Sequence, residues 1–108
     1  MIEFNKPTIE REHPANVEGI SNGIQKIWKF SNGYGASVIQ FKILGNFVSY
    51  TSNDNEWELA VLRFKNNDIK DTDNFDLCYT TQITDNVIGH LTSEEVIKIL
   101  ERIEKLET

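Results

Sequence analysis

The sequence predicts an α+β domain: an antiparallel β-sheet of about four to five strands in a meander, with one C-terminal helix packed on one face. Three observations predict it. Short runs rich in β-branched and aromatic residues fill the middle of the chain. An Asn-Gly pair separates two of them. A helical apolar repeat behind a capping box follows the last of them.

Residues 1–23 contain both prolines, Pro7 and Pro14, together with Gly19 and Asn22-Gly23, and no period persists through them. They read as an irregular N-terminal arm with one short edge strand near Ile2 to Phe4, ahead of a single α+β domain at 24–108. His13 precedes Pro14, which biases it toward extended backbone.

Residues 24–30 read as a strand on their β-branched and aromatic content. Asn32-Gly33 then makes a hairpin turn, because both residues tolerate positive φ, and Gly35 fits a bulge behind it. The return strand runs from Ala36 to Leu44. Ile39, Phe41 and Ile43 fall on one of its faces behind Ser37, with Ala36, Val38, Gln40 and Lys42 on the other. Gly45-Asn46 is a second turn, Phe47–Thr51 a short third strand, and residues 52–55 a polar loop. Trp57–Phe64 is apolar on both faces, as a central strand covered by a helix would be. Residues 66–76 read as an exposed acidic loop and Leu77–Thr81 as a further strand.

The helix is the most strongly encoded element. Thr92-Ser93-Glu94-Glu95 is a capping box, and Leu91 with Val96 a hydrophobic staple. Val96, Leu100, Ile103 and Leu106 repeat at helical spacing, widened by Ile97 and Ile99. Glu94–Lys98 and Glu101–Lys105 are i,i+4 pairs in the favourable orientation. A helix this short is marginal alone, so its stripe must dock on the sheet.

Composition narrows the function classes. With 17 acidic and 11 basic residues the formal charge is −6, which disfavours nucleic acid and anionic membranes as partners. Cys78 is the single cysteine, so no internal disulfide can form. The start of the chain lacks a signal-peptide pattern and no apolar run reaches a membrane-spanning length, which together predict a cytoplasmic protein.

No catalytic or cofactor constellation emerges. There is no Walker spacing, and Gly33-Tyr34-Gly35 lacks the third glycine of a dinucleotide fingerprint. Cys78, His13 and His90 lack zinc-ligand spacing. Asp68, Asp71, Asp73 and Asp76 fail the calcium-loop pattern, because Phe75 stands where an oxygen ligand is needed. Neither a metal nor a cofactor is predicted. Cys78 lies within an apolar strand, where a thiol is usually inert, so its pairing with His90 is a weak nucleophile and base. Glu56 and Glu58 share a strand face that reads as the solvent side. Trp28-Lys29-Phe30 and Arg63-Phe64-Lys65 interleave aromatic and basic residues, but the glycine-aromatic signature of sheet-based RNA binders is missing.

Four stretches, Phe30 to Ile39, Trp57 to Leu62, Asp76 to Thr81 and Ile83 to Val96, resemble a group of small proteins encoded by bacteriophages and prophages. The resemblance spans roughly residues 24 to 106. It implies a mobile-element setting in the host cytoplasm, and it carries over no catalytic residue.

The sequence therefore predicts a non-enzymatic phage or prophage accessory protein that binds a host or phage protein, inhibition of a host defence being one form of this. Candidate contact residues are Tyr34 at the hairpin tip, Tyr50, Asp54 and Trp57 around the 52–56 loop, and Asp71 and Asp73 on the acidic loop. The alternatives are a self-associating homo-oligomer and a small enzyme using carboxylates such as Asp85 with His90.

Overall fold

The computed structural model describes residues 2–84 and 86–107. It is an antiparallel β-sheet with one C-terminal helix, the predicted class, but the sheet has seven strands rather than four or five. These are β1 (Ile9–Glu12), β2 (Ser21–Lys29), β3 (Tyr34–Ile43), β4 (Asn46–Phe47), β5 (Trp57–Phe64), β6 (Phe75–Leu77) and β7 (Ile88–Leu91), followed by α1 (Ser93–Glu104).

The main path is β1-β2-β3-β5-β6, every neighbour antiparallel. Two flanks are shared. Along β3, residues 34–39 pair with β5 and residues 42–43 with β4. Along β5, Leu62–Phe64 pair with β6, while Trp57 and Leu59 pair with β7.

Several boundaries depart from the sequence reading. The arm at 1–23 is not wholly irregular. Ile9 and Arg11 alternate with Glu10 and Glu12, and they register opposite Ile27 and Gln25 of β2, which itself begins at Ser21. The edge strand is therefore this one, and not Ile2 to Phe4. Phe4 instead packs edge-on against Trp57 at 5.1 Å between ring centres. The strand expected at 47–51 stops at Phe47, because the Ser49 hydroxyl takes the Phe41 amide and turns the chain away. The strand expected at 77–81 lies earlier, at Phe75–Leu77, and Cys78 follows it, half-buried. β7 had no sequence signal. Gly35 makes no bulge; it sits in register between Lys29 and Leu62, where a side chain would run into the Trp28 carbonyl oxygen and the Phe64 ring.

The helix covers the face bearing Trp28, Ala36, Val38, Leu59 and Val61, and buries Val96, Leu100 and Ile103 against it. Each of these helical side chains contributes roughly 1.5–3 kcal/mol by leaving water. Both halves of the capping box form: the Thr92 hydroxyl accepts the Glu95 amide at 3.2 Å, and the Glu95 carboxylate accepts the Thr92 amide at 3.0 Å. At the other end Asn32, in the β2–β3 turn, donates its side-chain amide to the carbonyls of Ile103, Glu104 and Leu106. Its Oδ1 meanwhile accepts the Tyr34 amide at 3.0 Å. One turn residue thus shapes the hairpin and finishes the helix.

The opposite face has its own small core of Ile27, Leu62 and Phe64, with Phe75 edge-on to Phe64. The Ile39, Phe41 and Ile43 row belongs to this second face, because Ser37 registers with Ile27 and Ala60. No helix covers it, and Ile43 is 40 % exposed.

Candidate docking surface

The β2–β3 ribbon ends, away from the helix C-terminus, in two turns held together by the Leu44 amide donating to the Ile20 carbonyl at 2.7 Å. On one side Val17, Glu18 and Gly19 lead into Ile20; on the other Leu44 and Gly45 join β3 to β4. Both Leu44 (φ 48°) and Gly45 (φ 80°) have positive φ, the pattern of a type I′ hairpin turn. That turn ordinarily carries Asn, Asp or Gly at its first central position, since an L side chain there costs roughly 1–2 kcal/mol.

Leu44 is nonetheless 72 % exposed, the most exposed large apolar residue described. It makes no core contact that would offset its backbone strain. Val17, Ile20, Ile43 and Val48 are also exposed and flank it through the Ile20–Leu44 bond, the Ser21–Ile43 register and the Val48 amide donating to Phe41. These apolar side chains are gathered at one end of the domain, which makes that end the candidate contact surface. The sequence reading missed this site, having placed the turn one residue late, at Gly45-Asn46, with Leu44 as the strand's last residue.

The turn is braced by His13. Its ring packs on Phe41 with the centres 4.7 Å apart and the planes tilted by 57°, and its Nδ1 accepts the Ala15 amide at 3.1 Å, a bond that suits the neutral ring with its proton on Nε2. Burial, and next the nearby Arg11 guanidinium, hold its pKa below the ordinary 6.5, against a smaller opposing pull from Glu58.

The residues named from sequence are scattered. Tyr50 is exposed and belongs to the segment leaving β4, with its amide bonded to Glu58. Asp54 pairs with Lys42 at 2.8 Å. Trp57 is buried in the core and is unavailable to a partner. Tyr34 is half-buried beneath the Arg63 guanidinium, 4.6 Å from its ring centre, at the far end of the ribbon. Asp73 pairs with Arg11 at 2.8 Å on the second face. Asp71 is an anchor: its carboxylate accepts the side chains of Asn74 and Asn66 and the amides of Asp73 and Asn74, which hold it far below the usual carboxylate range. Only Tyr50 and Asp54 lie toward the apolar end.

Glu56, His90 and Ser52 form the one cluster resembling catalytic machinery among the described residues. His90 Nδ1 is 2.9 Å from Glu56 Oε1 and 3.3 Å from Ser52 Oγ. Both partners address the same ring nitrogen, so the imidazole does not stand between hydroxyl and carboxylate as it does in a triad. The His90 bond, with the Ser52 amide, lowers the Glu56 pKa. The cluster ties the 48–56 segment to β7, where the His90 amide also donates to the Tyr50 carbonyl at 2.7 Å. Asp85 lies outside the described residues, and Cys78 contacts Thr80 rather than His90.

A cavity of about 570 Å³ is an open groove between Thr80–Ile83 and the end of the helix, flanked by Tyr34, Arg102 and Lys105. Its ionisable side chains are exposed, apart from half-buried Tyr34. Among the described residues no three of His, Cys, Asp and Glu converge as metal ligands, and no helix is long and apolar enough to cross a membrane. Compared with protein-family models, curated proteins and solved structures, the chain matches none.

Proposed function

We propose that this protein is a non-enzymatic binding module, a phage or prophage accessory factor that docks on another protein through the apolar end of its β2–β3–β4 ribbon. Leu44 carries the reading. It breaks two local preferences at once: a large apolar side chain stands exposed, and a leucine takes the left-handed position that a type I′ turn ordinarily gives to Asn, Asp or Gly. Selection for docking explains both. Interference with a host defence protein is one outcome such docking would serve.

The test is a pull-down from host lysate with wild type and Leu44→Asn side by side, read by quantitative mass spectrometry. Asparagine suits the turn, so the variant keeps the fold and loses only the apolar anchor. A protein retained by wild type and lost with the variant supports docking. Identical retention profiles would sink it. Light scattering on the purified protein separates the self-associating alternative, which requires an assembly that the same substitution dissolves.

A further inference from the structure

We infer that the partner of this apolar end is a protein segment that sets bulky apolar side chains among lysine and arginine. The inference rests on the docking reading above and adds the chemistry of the rim. Glu18 lies inside the Val17–Ile20 turn, and Glu12, the last residue of β1, registers opposite Ile24, four residues beyond Ile20. Both are exposed, and neither has an ion-pair partner among the described residues. Asp54 lies beside Lys42 and consumes it, and Arg11 is consumed by Asp73. His13 is neutral and faces Phe41, with Arg11 and Glu58 the charged groups around it. Lys42 and Arg11 are therefore already neutralised, while Glu18, within the apolar turn, and Glu12, on the neighbouring strand, are not.

This arrangement selects among occupants. A second copy would bring the same unpaired carboxylates to the interface from both sides, with no free cation among the described residues at that end to meet them, and excess like charge across an interface is costly. Nucleic acid and anionic bilayers are repelled for the same reason. Apolar side chains set among cations satisfy both the leucine and the carboxylates.

The test uses a defined probe, a random twelve-residue peptide library selected on the immobilised full chain and counter-selected on Leu44→Asn. Enriched peptides are then titrated at 50 and 500 mM salt against wild type, Leu44→Asn and the double variant Glu12→Gln, Glu18→Gln. The expected binders combine a bulky apolar residue with lysine or arginine. Their affinity falls about tenfold across the salt range and by a similar factor in the double variant, mostly through slower association. Binders that need Leu44 but are neutral or acidic and insensitive to salt would overturn the cationic partner and leave the docking reading standing. An absence of any Leu44-dependent enrichment counts against both. A dimer in light scattering that Leu44→Asn dissolves would assign the surface to a second copy and overturn the inference.

Discussion

The ammonium of Lys29 donates to the main-chain carbonyl of Asp71 at 2.7 Å, across 42 residues of sequence. The same nitrogen reaches the Asp68 carbonyl at 2.6 Å and Asn66 Oδ1 at 2.9 Å, and lies over the Phe64 ring. The loop at 66–74 is thus wrapped around a cation supplied by β2. Its carbonyls converge as they would on a metal ion, and a buried lysine takes that place.

Lys29→Met should cost about 2–3 kcal/mol, the range for removing charge-assisted bonds whose acceptors are left half-buried. Denaturant unfolding measures the loss. Hydrogen exchange should rise first at 66–74 and then in β1, which is tied to the loop by Arg11–Asp73. Unchanged exchange in that loop would show that its own Asx turns suffice.

Asp71 predicts an acid-sensitive loop. Its folded pKa lies below the ordinary 3.8, so its stabilising contribution is complete above 3.8 and declines as pH falls below that value. Asp71→Asn should remove this part of the acid response and weaken the loop at neutral pH. Unfolding curves at pH 3 and pH 7 that shift equally in the variant and wild type would contradict the assignment.

Leu44→Asn should stabilise the protein by about 1 kcal/mol, by placing a residue tolerant of left-handed backbone in the turn. For a chain of this size that raises the melting temperature by a few degrees, read by calorimetry. A lower melting temperature would mean that the leucine packs usefully in the free protein. A gain in stability joined to a loss of partner is the expected mark of a docking residue.

His13 predicts a second pH dependence, at higher pH. Its folded value is lowered, so stability is complete above the ordinary 6.5 and declines as pH falls through the folded value. Protonation removes the acceptor for the Ala15 amide and so loosens the turn carrying Val17 and Ile20. Imidazole resonances followed by NMR should titrate below 6.5, with the Ala15 amide exchanging faster in acid. Titration at or above 6.5 would rule this out.

Asn32→Ala should cost about 1–2 kcal/mol, because two carbonyls of the last helical turn, the Leu106 carbonyl beyond it and the Tyr34 amide lose their partner together. Asn32→Asp should be worse. It keeps the acceptor for Tyr34 but turns a carboxylate toward the negative end of the helix. Equal melting temperatures for the two variants would argue against the capping role.

The most legible elements were those whose instructions are local. The capping box, the apolar stripe of α1, the Asn32-Gly33 turn and the two-faced β5 all follow from neighbours within a few residues. β1 was not legible, because Ile9 and Arg11 become a strand only against β2, a pairing that no short window contains. Trp57 looked available beside a polar loop, and Phe4 and the helix bury it from far along the chain. Lys29 read as one residue of the strand at 24–30, set between two aromatics, and nothing nearby in sequence says that the 66–74 loop will close on its ammonium. Leu44 was misread for a different reason. Its exposure and positive φ contradict the preferences that sequence reading relies on, which is why it stands out once the structure is known.

The divided flanks of the sheet bear on how the molecule recruits anything. β5 shares its outer flank between β6 and β7, and the outermost strand on the other side, β1, is four residues long and carries Glu10, Arg11 and Glu12. Nowhere in these elements is a long, uncharged row of amides and carbonyls offered to an incoming chain. Fibril growth and capture of extended peptides by strand addition are thereby discouraged, even with an apolar tip on display. Contact must be made by side chains, which can be altered one at a time without unzipping the sheet that holds them.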